Sequence, residues 1–329
     1  MTALATTLQA FFTDRLMRQR KASPHTLAAY RDTLRLLLIF ASGKHGVEPS
    51  KLDIGDIDAP LVGEFLDHLE KQRKNSERTR NARLTAIRSL YRYAALRHPE
   101  YAAVIERVLA IPTKRYDRKL VTFLEEPELK TLLATPARTT WTGRRDYALF
   151  VLAAQTGLRV SELIGLRRSD VHLGVGAHIS CMGKGRKLRV TPLTSQLVGV
   201  LRTWLSERGG QADDPLFPTR SGCPLSRDAI ERRLAGYLRT ASVHSPSLAQ
   251  KNVTMHVLRH TAAMRLLRAG IETSVIALWL GHEQVETTHI YLHADMGIKE
   301  RALAATAPMS AKPGRFRPND KLLAFLEAL

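Results

Sequence analysis

The chain has 329 residues, room for about two domains of roughly 150 residues each. Its 50 lysines and arginines stand against 31 acidic residues, a net charge of +19 that points to a polyanionic partner. No apolar run approaches the roughly 18 residues needed to span a bilayer. The two cysteines, Cys181 and Cys223, lack ligand-like spacing, which argues against a disulfide or zinc framework and fits a reducing cytosol.

The opening stretch MTALATTLQAFFTDRLMRQR has no basic residue ahead of its apolar part, so it reads as an amphipathic helix and not a signal peptide. A small helical domain is expected up to about Lys114. SPHTLAAYRDTLRLLLIFA starts with Ser23 as N-cap and Pro24 at the first helical position, and Leu27, Tyr30, Leu34, Leu37 and Leu38 follow helical spacing. DAPLVGEFLDHLEKQR repeats the pattern through Val62, Phe65, Leu66 and Leu69. SERTRNARLTAIRSLYRYAALR sets Leu84, Ile87, Leu90, Tyr91 and Ala94 on one face and leaves Arg78, Arg80, Arg83, Arg88 and Arg92 at the other positions. In one isolated helix such arginines read equally well as a solvated face; the charge of the whole chain favours phosphate contact.

A linker is expected next. Pro112 breaks the pattern in AIPTKRYDRKLVTFLEEPEL, a basic run follows, and a new helix opens around Glu125. Residues 1–115 hold 20 basic and 12 acidic side chains and the remainder 30 and 19, so the excess is shared, and two positive lobes on a linker can clamp a duplex. The second lobe is mixed. GRRDYALFVLAAQTGLRVSELIGLRRSDV is mostly helical with a break at Gly157. AHISCMGKGRKLRVTPL alternates as two short strands around a Gly183–Gly185 turn. Helices follow at TSQLVGVLRTWLSERGG, SRDAIERRLAGYLRTA, TMHVLRHTAAMRLLRAG and ETSVIALWLGH. A flexible tail, MSAKPGRFRPND, leads to a last helix at 320–329 with an apolar face of Leu322, Phe325, Leu326 and Leu329.

Six side chains in this lobe suit attack on a phosphodiester. Arg159 follows a glycine turn in TGLRVSEL, Lys184 sits at the hairpin tip, and His256 and Arg259 lie three apart on one helical face in HVLRH. His282 ends a helix at LGH, and Tyr291 follows nine residues later. Two guanidiniums can hold non-bridging oxygens and oppose transition-state charge. Histidines can move protons near neutral pH, and a lysine can protonate a departing alkoxide. A tyrosine is a usable nucleophile only when its neighbours assist deprotonation. Taken singly, each has a plainer reading: Tyr291 as a packing residue, Arg159 as the ion-pair partner of Glu162, Lys184 as a hairpin charge with Lys187 as its rival. His256 and His260 share the i, i+4 spacing of a helical zinc site, but the glutamate of H-E-x-x-H is missing and Arg259 would repel a cation, so no metal is expected.

The pieces TGLRVSEL, GKGRK, HVLRHTAAMRLLRAG and LWLGHEQVETTHIYLH, in this order and spacing, closely resemble the tyrosine recombinase (phage integrase) family, especially its Xer-type bacterial members. The resemblance covers about Thr122 to Leu303, and the first lobe resembles, more weakly, the family's core-binding domain. It implies a mainly α protein with a small β-sheet or hairpin: a SAM-like helical core-binding domain (1–112), a linker (113–121), a mixed α+β catalytic domain (122–307) and a tail with a terminal helix (308–329) that exchanges between protomers. It makes Tyr291 the nucleophile, Arg159 and Arg259 the phosphate-stabilising arginines, Lys184 the acid for the leaving 5′ oxygen, His256 a proton acceptor or donor, His282 a hydrogen-bonding support and Glu162 the residue that orients Arg159. Arg186 and Lys187 join the five helix arginines as candidate DNA contacts, while His289 and His293 match no catalytic position and read as surface or DNA-backbone residues. The implied reaction is cleavage to a 3′-phosphotyrosine and rejoining through a Holliday junction, with no cofactor and no metal.

The implied partners are double-stranded DNA with inverted repeats and further protomers, in a homo-tetramer or with related recombinases, in a bacterial cytoplasm and at the nucleoid when bound. The implied roles are integration or excision, transposition, or chromosome dimer resolution. A type IB topoisomerase-like relaxer shares the chemistry, and a DNA-binding accessory factor is the non-enzymatic alternative; no catalytic side chain of the pattern is missing. The segment GHEQVETTHIYLHAD is expected to lie outside any core, because it must offer its tyrosine to a phosphate.

Overall fold

The computed structural model describes residues 2–117, 120–183, 187–282, 284 and 286–294. The chain divides into two compact units, Met1–Arg118 and Lys119–Leu329. The expected tail and terminal helix, with Leu322, Phe325, Leu326 and Leu329, lie outside the described residues. Among the described residues no helix is long and apolar enough to cross a membrane.

The first unit is helical: α1 (Ala3–Ala10), α2 (Pro24–His45), α3 (Ala59–Lys71), α4 (Glu77–Ala94) and α5 (Ala102–Ala110). Between α1 and α2 the chain winds as a π-helix, Phe11–Gln19. The wider pitch has a packing correlate: Phe11 and Leu16, five residues apart, are both buried, as an i→i+5 repeat allows. Helix α2 starts as its sequence predicts, with the Ser23 hydroxyl accepting from the Thr26 N–H at 3.2 Å and Pro24 in the first turn. Its Leu34 and Leu37 join Val62, Phe65 and Leu66 of α3 and Leu84, Ile87 and Leu90 of α4 in one core. Each fully buried side chain of this size contributes about 1.5–3 kcal/mol.

Arg80 of α4 departs from expectation. Arg80 precedes Leu84 by one turn and therefore falls on the apolar stripe; it is 6% exposed, with its Nε 3.7 Å from Glu70 Oε1 and its Nη1 donating to Asn81 at 3.3 Å. The expected linker begins by folding back. Asn81 exchanges two hydrogen bonds with the Lys114 backbone, at 2.8 and 3.0 Å, and the Lys114 ammonium meets Glu70 at 2.5 Å.

The second unit runs α6 (Glu126–Ala134), α7 (Trp141–Thr156), α8 (Val160–Gly165), then a three-stranded antiparallel sheet in the order β1 (Val171–His172), β2 (His178–Met182), β3 (Leu188–Pro192). It continues through α9 (Ser195–Arg208), α10 (Arg227–His244), α11 (Met255–Arg268), α12 (Thr273–Leu280) and α13 (Glu286–Ala294). The sequence predicts only the β2–β3 hairpin, because two residues of β1 are too few to show alternation. Helix α7 is the spine: Leu149, Phe150, Leu152 and Ala153 pack with Leu158, Leu201, Trp204 and Leu258. A smaller cluster of Ala263, Met264, Leu267, Ile276 and Leu280 joins α11 to α12 and takes in Tyr291 of α13.

Candidate active site

The site forms where helices α7 and α12 end. Gly157 caps α7 at φ +64°, a conformation that favours glycine, and a Cβ there would lie 2.6 Å from Leu280 Cδ2 and 3.3 Å from Ala262 Cβ. The bare backbone lets α7, α11 and α12 close together. In that gap Arg259 of α11 donates from Nη1 to the Gly157 carbonyl at 2.6 Å and from Nη2 to the Leu280 carbonyl at 2.7 Å. Helix C-terminal carbonyls lack helical partners and carry partial negative charge, so they both orient and oppose a guanidinium that is 2% exposed.

A second arginine is set by a carboxylate. Arg159 precedes α8, and Glu162, whose side chain is 4% exposed, accepts both its backbone N–H at 2.8 Å and its Nη1 at 2.9 Å. Arg159 Nη2 reaches the Gly281 carbonyl at 3.2 Å. The other side of Glu162 takes a third arginine, Arg189 of β3, whose Nη2 lies 2.6 Å from Oε2 and whose Nη1 donates to the Trp279 carbonyl at 2.8 Å. Gly281, at φ +66°, caps α12 against this side chain; a Cβ there would stand 3.2 Å from Arg189 Cδ. One carboxylate thus ties together the start of α8, the hairpin strand and the end of α12.

Tyr291 faces this cluster from α13. Contrary to the expectation that its segment stays outside a core, Tyr291 is 1% exposed and Thr288, one turn earlier, is also buried. The polar composition of the segment hides this, because Thr288 and Tyr291 share the inward face while Thr287 and His289 point to solvent. The Tyr291 hydroxyl is 3.0 Å from Nδ1 of His260, on α11. The His282 ring lies parallel to the tyrosine ring at 6.4 Å, with its Nδ1 2.8 Å from the Thr288 hydroxyl. His256 is exposed one turn before His260, and their rings are 4.4 Å apart, edge to face.

Burial sets the protonation states. His260 is held neutral, its pKa pushed down to about 3 by burial and then by the charges of His256, Arg259 and His282. His282 falls to about 4 through burial, then Arg259, Arg159 and Arg189. Burial raises the Tyr291 hydroxyl to about 12, against the opposing pull of Arg259 and Arg159. Burial also lowers Arg259 to about 10, so it keeps its charge at neutral pH. A stability consequence follows. Below the ordinary histidine value of 6.5 the unfolded chain binds protons at both histidines while the folded unit refuses them until about pH 4 and below. Stability is therefore full above pH 6.5 and lost as the pH falls. Thermal melts should show a falling midpoint between pH 6.5 and 4, reduced in a His282→Asn variant; a midpoint flat across that window would contradict the assignment.

Of the residues predicted from sequence, the structure brings Arg159, Glu162, Arg259, His282 and Tyr291 together, with His256 at the margin. Lys184 and Arg186 lie outside the described residues, but the hairpin base borders the cluster, since a Cβ on Gly183 would stand 3.9 Å from Glu162 Oε1. Lys187 is exposed, and its carbonyl accepts from the Gly183 N–H at 2.8 Å. His289 is exposed; the His293 side chain lies outside the described residues. Arg189, His260 and Thr288 were not singled out as site residues by sequence reasoning. In the first unit Arg78 and Arg92 are exposed, Arg88 donates to the Ile111 carbonyl, and Arg83 is half-buried, with Nε and Nη1 closed to solvent.

Chemically, the cluster offers two guanidiniums for a phosphate, a phenol oxygen, and neutral imidazoles beside it. Among the described residues no group of three or more His, Cys, Asp and Glu is placed to hold a metal ion. Residues 122–297 match the phage integrase family, and residues 10–98 match the phage integrase N-terminal SAM-like domain. The "Putative integrase/recombinase y4rC" of Sinorhizobium fredii is 54% identical over 99% of this chain and 98% of its own. Tyrosine recombinase XerC of Pelobacter propionicus is 35% identical over 84% of this chain and 87% of its own. The crystal structure of XerH site-specific recombinase bound to a palindromic difH substrate shares the fold, with a TM-score of 0.68 at 23% identity, over 87% of this chain and 81% of that one.

Proposed function

Because the chain belongs to the phage integrase family, we propose that it breaks and rejoins DNA through a bond between the Tyr291 oxygen and a 3′ phosphate. It is a tyrosine site-specific recombinase. The observation that supports this assignment of the nucleophile is the convergence on one phenol of Arg159, Arg259, His260 and His282, drawn from three separate stretches of chain.

In this reading the scissile phosphate sits between Arg159 and Arg259, whose charge opposes that of the pentacoordinate transition state. The Tyr291 oxygen attacks phosphorus, the bond to the 5′ oxygen breaks, and Lys184 protonates the departing oxygen, with His256 in proton transfer and His282 supporting the phosphate. A 5′-hydroxyl from a partner strand then attacks the phosphotyrosine and reseals the backbone. The bond energy stays in the covalent intermediate, so no cofactor and no metal take part. The partner is double-stranded DNA with inverted repeats, held by both units; Arg78, Arg83, Arg92, Arg186 and Lys187 are its candidate contacts, with Arg80 and Arg88 bound within their own unit. A homo-tetramer, or an assembly with related recombinases, joins two duplexes through a Holliday junction. The setting is the cytoplasm, at the nucleoid when bound.

The test uses a duplex selected by its binding to the full chain and nicked at successive positions, so that cleavage traps the adduct. Wild type should give a covalent protein–DNA band in the presence of EDTA, and Tyr291→Phe should bind the same duplex and give none. Binding without any adduct in wild type would leave an accessory DNA-binding role. Supercoil relaxation without exchange between two sites would favour the topoisomerase-like alternative.

A further inference from the structure

We propose that His260 is the base for the nucleophile: its Nδ1 binds the Tyr291 hydroxyl and takes the phenol proton as the tyrosine oxygen attacks phosphorus. The inference rests on the reading of Tyr291 as nucleophile and adds a residue to which that reading gave no role. Three observations carry it. The Nδ1–hydroxyl distance of 3.0 Å is within reach for direct proton transfer. The two rings meet edge to face at 5.5 Å, and solvent is excluded around the phenol, since Tyr291 is buried. His256, one turn earlier on the same helix, is exposed, whereas His260 is half-buried beside the tyrosine, its ring 4.4 Å from that of His256.

The groups facing His260 are His256 and Arg259 from its own helix, His282 from the turn after α12, and Tyr291 from α13. Burial first, and then the positive charge beside it, keep the imidazole neutral, with the ring proton on Nε2 when Nδ1 accepts. So weak a base cannot ionise a phenol whose pKa is pushed up to about 12, and the resting pair stays a neutral hydrogen bond. Transfer occurs only as the phosphorus–oxygen bond forms, when the phenol becomes strongly acidic and the phosphate anion beside it favours an imidazolium. The balance closes: the tyrosine O–H bond breaks and its proton goes to Nδ1, the bond from Tyr291 to phosphorus forms, the bond from phosphorus to the 5′ oxygen breaks, and that oxygen leaves with a proton from Lys184. Resealing runs this backwards, and the departing phenolate recovers its proton from His260.

The experiment measures single-turnover adduct formation on the selected, nicked duplex from pH 6 to 9 with full-length wild type, His260→Asn, His260→Ala and Tyr291→Phe. Asparagine presents an amide near the Nδ1 position but cannot take a proton. His260→Asn should bind the duplex as wild type does and form adduct about 10²–10³-fold more slowly. The deficit should shrink as pH rises, and again when Tyr291 is replaced by a fluorinated tyrosine that ionises more easily. It should persist on DNA with a bridging 5′ sulfur, whose departure needs no proton. His260→Ala should show the same profile with partial recovery on adding imidazole. Wild-type rates and pH dependence in both His260 variants would overturn the proposal, as would a deficit erased by the 5′ sulfur, which would put His260 on the leaving-group side. A Tyr291→Phe protein that still forms the adduct would instead remove the nucleophile assignment itself.

Discussion

Arg259→Lys should slow covalent cleavage by about 10²–10³-fold while DNA binding stays within a few-fold of wild type. Lysine keeps the charge, so the long-range attraction to the duplex survives. It cannot bridge the Gly157 and Leu280 carbonyls, which Arg259 spans with two nitrogens of one rigid plane. Without that bridge the charge is no longer aimed, and one carbonyl loses its partner in a buried gap. The expected signature is a fall in the rate of adduct formation at saturating DNA with little change in the concentration that saturates. An unaltered rate would mean that Arg259 is a structural clamp and not part of the chemistry.

Glu162→Ala should destabilise the second unit by about 3–5 kcal/mol and abolish detectable cleavage. Glu162 is the shared acceptor for Arg159 and Arg189, at 2.9 and 2.6 Å, in a place nearly closed to solvent. Removing it leaves two guanidiniums close together with no counter-charge, and leaves the first turn of α8 without its backbone cap. Urea unfolding should show a lower midpoint with an unchanged slope. Glu162→Gln should fall between, since the amide keeps the cap and one hydrogen bond but not the charge. An unfolding free energy for Glu162→Ala within about 0.5 kcal/mol of wild type, the range of ordinary surface substitutions, would show that the pair contributes nothing.

The helices of both units were legible because their apolar residues recur at helical spacing and their caps are explicit, as at Ser23 and Pro24. The site was legible where its residues stand in ordered motifs: Arg159 after Gly157, Arg259 within HVLRH, His282 after Gly281. What sequence did not reveal is contact between distant positions. Arg189 lies in an alternating strand where any second residue points inward, and nothing local says that it will meet Trp279 ninety residues later. His260 was visible only as one half of an i, i+4 histidine pair, because its partner is a tyrosine on another helix. Arg80 illustrates the converse: a charged residue in the apolar stripe reads as surface until Glu70 of α3 is seen beside it.

The bonds that close the site join residues far apart in the chain: Arg259 to Gly157 across 102 positions, Arg189 to Trp279 across 90, Arg159 to Gly281 across 122. Such contacts form late in folding, since long loops must close before they reward the chain. The order of synthesis deepens the delay, because Arg159 and Arg189 emerge before the Gly281 and Trp279 carbonyls that aim them, Arg259 emerges before that of Leu280, and Tyr291 emerges after them all. A growing or truncated chain therefore has the positive surface that holds DNA but no means of cutting it. Chain order thus delays the cutting site until its last strut is in place.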